Sequence, residues 1–141
     1  MKKALIMAVA AITLSACSMN QDTSVKQKDL QHHRFELVSV DGTPVPATQR
    51  PAPEIQFGQD LHVSGKMCNN FFGKGELQNN VLTVKGMGAT RMLCADQNLN
   101  QWDQVIGEVL NKGASVSLNK DTLVLSEGQH TLVYKLKDLM S

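Results

Sequence analysis

The stretch FGKGELQNNVLTVK, Phe72 to Lys85, decides how the rest of the chain is read. Two runs that suit strands flank Asn79-Asn80, and asparagine is one of the few residues that tolerates the left-handed backbone a two-residue hairpin turn demands. The same strand-turn-strand pattern returns at Ser115 to Leu118, Asn119 to Asp121 and Thr122 to Ser126. A final run, His130 to Leu136, places Leu132, Tyr134 and Leu136 on one face. Upstream, Phe35 and Leu37 alternate with Arg34 and Glu36 before the turn Asp41-Gly42. Ile55, Phe57, Leu61 and Val63 continue the alternation, and Pro44 to Pro53 is expected as loop or edge because proline cannot donate to a ladder.

One segment breaks the period of two. Leu99, Trp102, Val105, Ile106, Val109 and Leu110 fall on one face of a helix, with Asp96 suited to its N-cap and Gly113 to its end. Gly107 costs this helix about 1 kcal/mol relative to Ala, which the apolar face outweighs. Trp102 is read as a core anchor rather than a ligand platform. The expected fold is mainly β (α+β): an antiparallel sheet with one amphipathic helix packed across it.

The N-terminus is read as a leader. Lys2 and Lys3 precede the apolar run Ala4 to Leu14, whose 11 residues fall well short of the roughly 20 that span a bilayer. Leu14-Ser15-Ala16-Cys17 has the pattern for lipoprotein processing, with a cut before Cys17 and diacylglycerol on its thiol. The alternative is ordinary cleavage after Ser18. Residues 1–16 are thus expected as a lipoprotein signal peptide, 17–29 as the lipidated cysteine and a polar, flexible tether, and 30–141 as one folded domain. Ser18, rather than Asp, follows the cysteine and points to the outer membrane, with the domain facing the periplasm.

Charge argues against a nucleic-acid partner. Taking Lys2 and Lys3 from the 14 basic residues leaves 12 against 13 acidic, a formal net charge of −1, and the basic residues do not cluster. The expected membrane contact is the N-terminal lipid alone.

Chemistry-bearing residues are scattered. Cys68 and Cys94 remain once Cys17 is lipidated, and an oxidising compartment favours a disulfide between them, worth roughly 3.5 kcal/mol for a loop of that size. Two unpaired buried thiols, or a metal or redox site, are the alternatives, and no C-x-x-C is present. His32, His33, His62 and His130 lack chelating spacing. No G-x-S-x-G occurs, and carboxylates such as Glu54, Asp96, Asp103 and Glu108 are read as a solvated surface. No catalytic residue, metal site or cofactor is expected, and the domain is expected to be a monomer. The densest local chemistry runs from Ser64 to Gly75 around Cys68, with Thr90-Arg91-Met92-Leu93-Cys94 as its partner run. Asn69, Phe71, Phe72, Arg91 and Met92 form the candidate binding surface, and a loop crossing locked by the cysteines is the plainer reading of the same residues.

Gly65, Cys68, Asn69, Phe71, Phe72 and Gly73, followed by Thr90-Arg91-Met92-x-Cys94, resemble the motifs of the META domain, also called HslJ-like. Leu30, Phe35, Leu37, Ser39, Val40 and Gly42 extend the resemblance, as do Pro53, Ile55 and Phe57 before Gly65. Met67 stands where many members have Gly, and Phe35 where many have Trp. The resemblance implies a compact sheet curved like a partial barrel with one helix. It also implies an outer-membrane lipoprotein linked to heat response and to novobiocin tolerance, with no known enzymatic activity. Two functions follow as expectations: an envelope stress protein working through protein contacts, or a small-molecule binder with a pocket lined by Phe71, Phe72, Met92 or Trp102. Inhibition of a cell-wall-degrading enzyme is a third, for which no inhibitory loop is visible.

Overall fold

Alternating apolar residues fold the chain into a β-barrel in a computed structural model that describes residues 24–139. In chain order the elements are α1 (Gln27–Leu30), β1 (His33–Val40), β2 (Thr43–Pro44), β3 (Glu54–Phe57), a 3-10 turn (Gln59–Leu61), β4 (His62–Lys66), β5 (Asn70–Gln78) and β6 (Val81–Val84). They continue with β7 (Gly88–Ala89), α2 (Gln97–Lys112), β8 (Ala114–Asn119), β9 (Thr122–Glu127) and β10 (His130–Leu139). The barrel runs β1-β3-β4-β5-β6-β8-β9-β10, every pair antiparallel, and β10 returns to β1. The curved sheet therefore closes completely, which removes the exposed edges an open sheet would carry. Short β2 and β7 lie beside β1 and β5.

Alternation sorts the side chains. Phe35, Leu37, Ile55, Phe57, Val63, Leu82, Val84, Leu123, Leu125, Leu132 and Tyr134 are buried together in one core. Phe35 packs edge-on against Phe57, with ring centres 6.0 Å apart. The Asn79-Asn80 turn has φ of 52° and 62°, the left-handed conformation its sequence calls for.

The shortest pairing in the barrel is between β6 and β8, in register at Val81–Ser115 and Leu82–Ala114 and continued by the Val116 N–H, which donates to Asn80 O at 2.8 Å. Helix α2 packs over this seam against β6, β8 and β9. All six residues of its apolar stripe are buried. Asp96 accepts a hydrogen bond from Asn98 N–H at 2.8 Å at the start of the helix. Gly113, at φ 111°, ends it.

The folded body reaches further back than Leu30. Val25 is buried, its N–H donates to Asn80 Oδ1 at 2.7 Å, and Gln27 to Asp29, the end of the stretch read as tether from composition, belong to α1. Val25 is the apolar residue of that stretch among the described residues, and it packs into the same core as Leu30. Cys17 and the signal peptide lie outside the described residues.

Two polar groups at the barrel give predictions. Tyr134 is fully buried and its hydroxyl has no hydrogen-bond partner among the described residues; burial pushes its ionisation well above the usual range. A buried unsatisfied hydroxyl costs stability, so Tyr134→Phe is expected to stabilise the domain by about 1 kcal/mol. Urea unfolding tests this, and a lower midpoint for the variant would contradict it.

Asp41 closes one end of the β1–β10 seam, accepting from Thr131 N–H at 2.7 Å and pairing with His130 Nδ1 at 2.8 Å. Partial burial raises its pKa, but the hydrogen bonds from His130 and Thr131 outweigh this and hold it below 3.8. A depressed carboxyl stabilises the fold above its unfolded pKa, and that stability is lost as pH falls through the folded one. The urea midpoint of Asp41→Asn should therefore lie below wild type at neutral pH and converge with it below the ordinary carboxylate range.

Candidate functional site

The chain turns sharply between β4 and β5 at Met67-Cys68-Asn69, and all three side chains are buried. Cys68 is joined to Cys94 by a disulfide, with their Cα atoms 5.9 Å apart. This brings the loop of residues 90–95 against the β4–β5 turn and the start of α2.

Asn69 is the hub of the crossing. Its Oδ1 accepts from Met92 N–H at 2.6 Å and from the Thr90 hydroxyl at 2.9 Å. Its Nδ2 donates to Met92 O at 3.1 Å and to Asp103 Oδ2 at 2.7 Å. Every hydrogen-bonding position of this carboxamide is filled. Asp103, reaching up from α2, accepts with Oδ1 from the backbone N–H groups of Cys68 and Asn69, both at 3.0 Å. One turn earlier, Asn100 accepts from Cys94 N–H and donates to Cys94 O, each at 2.9 Å. Thr90 completes the clamp by accepting from Asn70 N–H at 3.1 Å. The loop is thus fixed by a covalent bond and by two side-chain clips that hold its backbone.

Beside the crossing lies an open groove of about 660 Å³. Phe71, Met87 and Ile106 supply apolar lining, and Arg91, Met92, Leu93, Asp103 and Gln104 lie along it. Leu93 is 87% exposed and Met92 54%, so the locked loop carries two apolar side chains into solvent. Arg91 is exposed and has no hydrogen bond or ion pair among the described residues.

Four of the five expected surface residues meet here: Asn69, Phe71, Arg91 and Met92. Phe72 does not. Successive side chains of a strand point to opposite faces, so Phe71 turns inward while Phe72, 48% exposed, lies on the outside of the barrel near Gln56 and Ser64. Trp102 is buried in the core and is not part of the groove lining. Asn69 belongs to the clamp rather than to a free surface, since none of its polar atoms is left over. The sequence reading missed Asp103 by grouping it with dispersed surface carboxylates. Its signal was its position: it lies four residues after Leu99 and three before Ile106, on the border of the apolar stripe, where an unpartnered carboxylate would be costly.

Residues 28–138 match the META domain family model. The chain is 45% identical, over the full length of both chains, to heat shock protein HslJ of Escherichia coli (strain K12). A protein solved by NMR, 49% identical, superposes with a TM-score of 0.77 and covers 83% of this chain and 99% of its own. A second, from Burkholderia xenovorans, is 21% identical with a TM-score of 0.64, covering 96% of this chain and 97% of its own, and shares the fold. Both cysteine motifs fall inside the matched span, and with them the clamp that locks the loop: the chain belongs to the META domain family, and within it is similar to a heat shock protein.

Proposed function

We propose that this chain is a non-enzymatic, lipid-anchored protein of the outer membrane, facing the periplasm, which supports tolerance of envelope stress through protein contacts made by the Arg91–Cys94 loop. The observation that carries the reading is the rigid presentation of Met92 and Leu93: they are exposed, yet their backbone is fixed by Asn69, Asn100 and the disulfide. Side chains ordered before binding lose little entropy on docking, which favours such a loop as a contact site. The Leu14-Ser15-Ala16-Cys17 pattern supports the anchor, and the relation to a heat shock protein supports the stress role.

Two variants test it in cells challenged by heat and by novobiocin. Leu93→Asp, on an exposed side chain, is expected to leave the fold intact and to lower tolerance to that of the deletion strain. Cys17→Ala is expected to lower it by releasing the domain from the membrane. Full tolerance with Leu93→Asp would remove the contact loop from the account, and full tolerance with Cys17→Ala would remove the membrane-proximal site of action.

A further inference from the structure

The groove beside the loop has a chemistry separate from that of the exposed loop tip. Its polar groups are nearly all spent internally: Asn69 on Met92, Thr90 and Asp103, and Asp103 on the backbone of Cys68 and Asn69 and on the Asn69 side chain. Arg91 and Gln104 are left. Asp103 is the one carboxylate in the lining, and both its oxygens face the clamp. Among the described residues the guanidinium of Arg91, with five donors, therefore stands as an uncompensated cation at the rim of a groove lined by Phe71, Met87, Ile106 and Met92.

A groove of mixed lining whose apolar part lies beside a cation unpaired among the described residues is complementary to a molecule with an apolar body and one anionic end. The volume of about 660 Å³ is within the range of small-ligand sites. We propose that the groove binds a free, single-tailed anionic amphiphile, with its tail along Met87 and Met92, above the buried Phe71 and Ile106, and its carboxylate or phosphate on Arg91. This goes beyond the protein-contact reading and does not depend on it, since a ligand here needs neither the lipid anchor nor a partner at Leu93.

The test is an NMR titration of the full chain carrying Cys17→Ala with decanoate, decyl phosphate and decyltrimethylammonium, each below its micelle-forming concentration. The three share a tail and differ in head group. Both anions are expected to bind saturably and to shift the amide signals of Met87, Arg91 and Ile106, with the cation weaker by about tenfold, the scale of one charge-assisted contact. Arg91→Glu, on an exposed side chain with no bond among the described residues, is expected to reverse the order. Equal binding of all three, no saturable shift, or binding only to phosphatidylglycerol vesicles and not to the free amphiphiles would each overturn the proposal. Loss of tolerance with Leu93→Asp is read separately in cells, so either idea can fail alone.

Discussion

Gly65→Ala is expected to destabilise the domain by about 4 kcal/mol or to keep it from accumulating, the largest effect of any single methyl group added to this barrel. Gly65 sits on β4 between Ile55 of β3 and Phe71 of β5. A Cβ there would lie under 3.0 Å from the Glu54 carbonyl oxygen and from the Phe71 ring. The ring could turn, but the carbonyl belongs to the neighbouring strand and cannot move without opening the β3–β4 ladder. Truncating the ring as well, in Gly65→Ala/Phe71→Ala, should therefore fail to rescue stability. Urea unfolding of both variants checks this, and a Gly65→Ala loss below about 1 kcal/mol would show that the strands approach less closely than described.

Asn69→Ala is expected to cost about 3–4 kcal/mol. It strands Met92 N–H, Met92 O, the Thr90 hydroxyl and one Asp103 oxygen at once, and groups left without a partner in buried settings cost about 1–3 kcal/mol each. Partial exposure of the loop lets water recover some of that, which keeps the total below the sum. Asp103→Ala should lose a similar amount, and the double variant clearly less than the two together, because both act on one network. Additive losses would mean that Asn69 and Asp103 work independently. Asn69→Asp should be no better than Ala: it would turn carboxylate oxygens toward Met92 O and Asp103 Oδ2, where donors are required.

Much of this architecture was legible from residue pattern. Asn79-Asn80 marked a hairpin, the stripe from Leu99 to Leu110 marked the helix, and Asp96 and Gly113 marked its ends; each is local chemistry that tertiary packing did not override. Closure of the sheet was not legible, because pairing of β1 with β10 joins residues about a hundred positions apart and leaves no local trace. Docking of Val25 was hidden for the same reason: its partner, Asn80, lies 55 positions away. At the candidate site, the two cysteine runs come together as the expected disulfide requires, but identity alone could not say which side chains were free. Asn69 looked available and is fully committed; Phe72 looked like the twin of Phe71 and faces the other way. Asp103 was readable in principle, as a carboxylate at the edge of an apolar helix face.

The proposed contact role of the Arg91–Cys94 loop is tested most directly by placing a photo-crosslinking amino acid at position 93 in intact cells, with position 38 as the control. Val38 is also exposed, on β1 away from the groove. A discrete adduct from position 93, absent from position 38 and lost when Met92→Asp is added, is the predicted result. No adduct at position 93, or the same adduct at both positions, would contradict it.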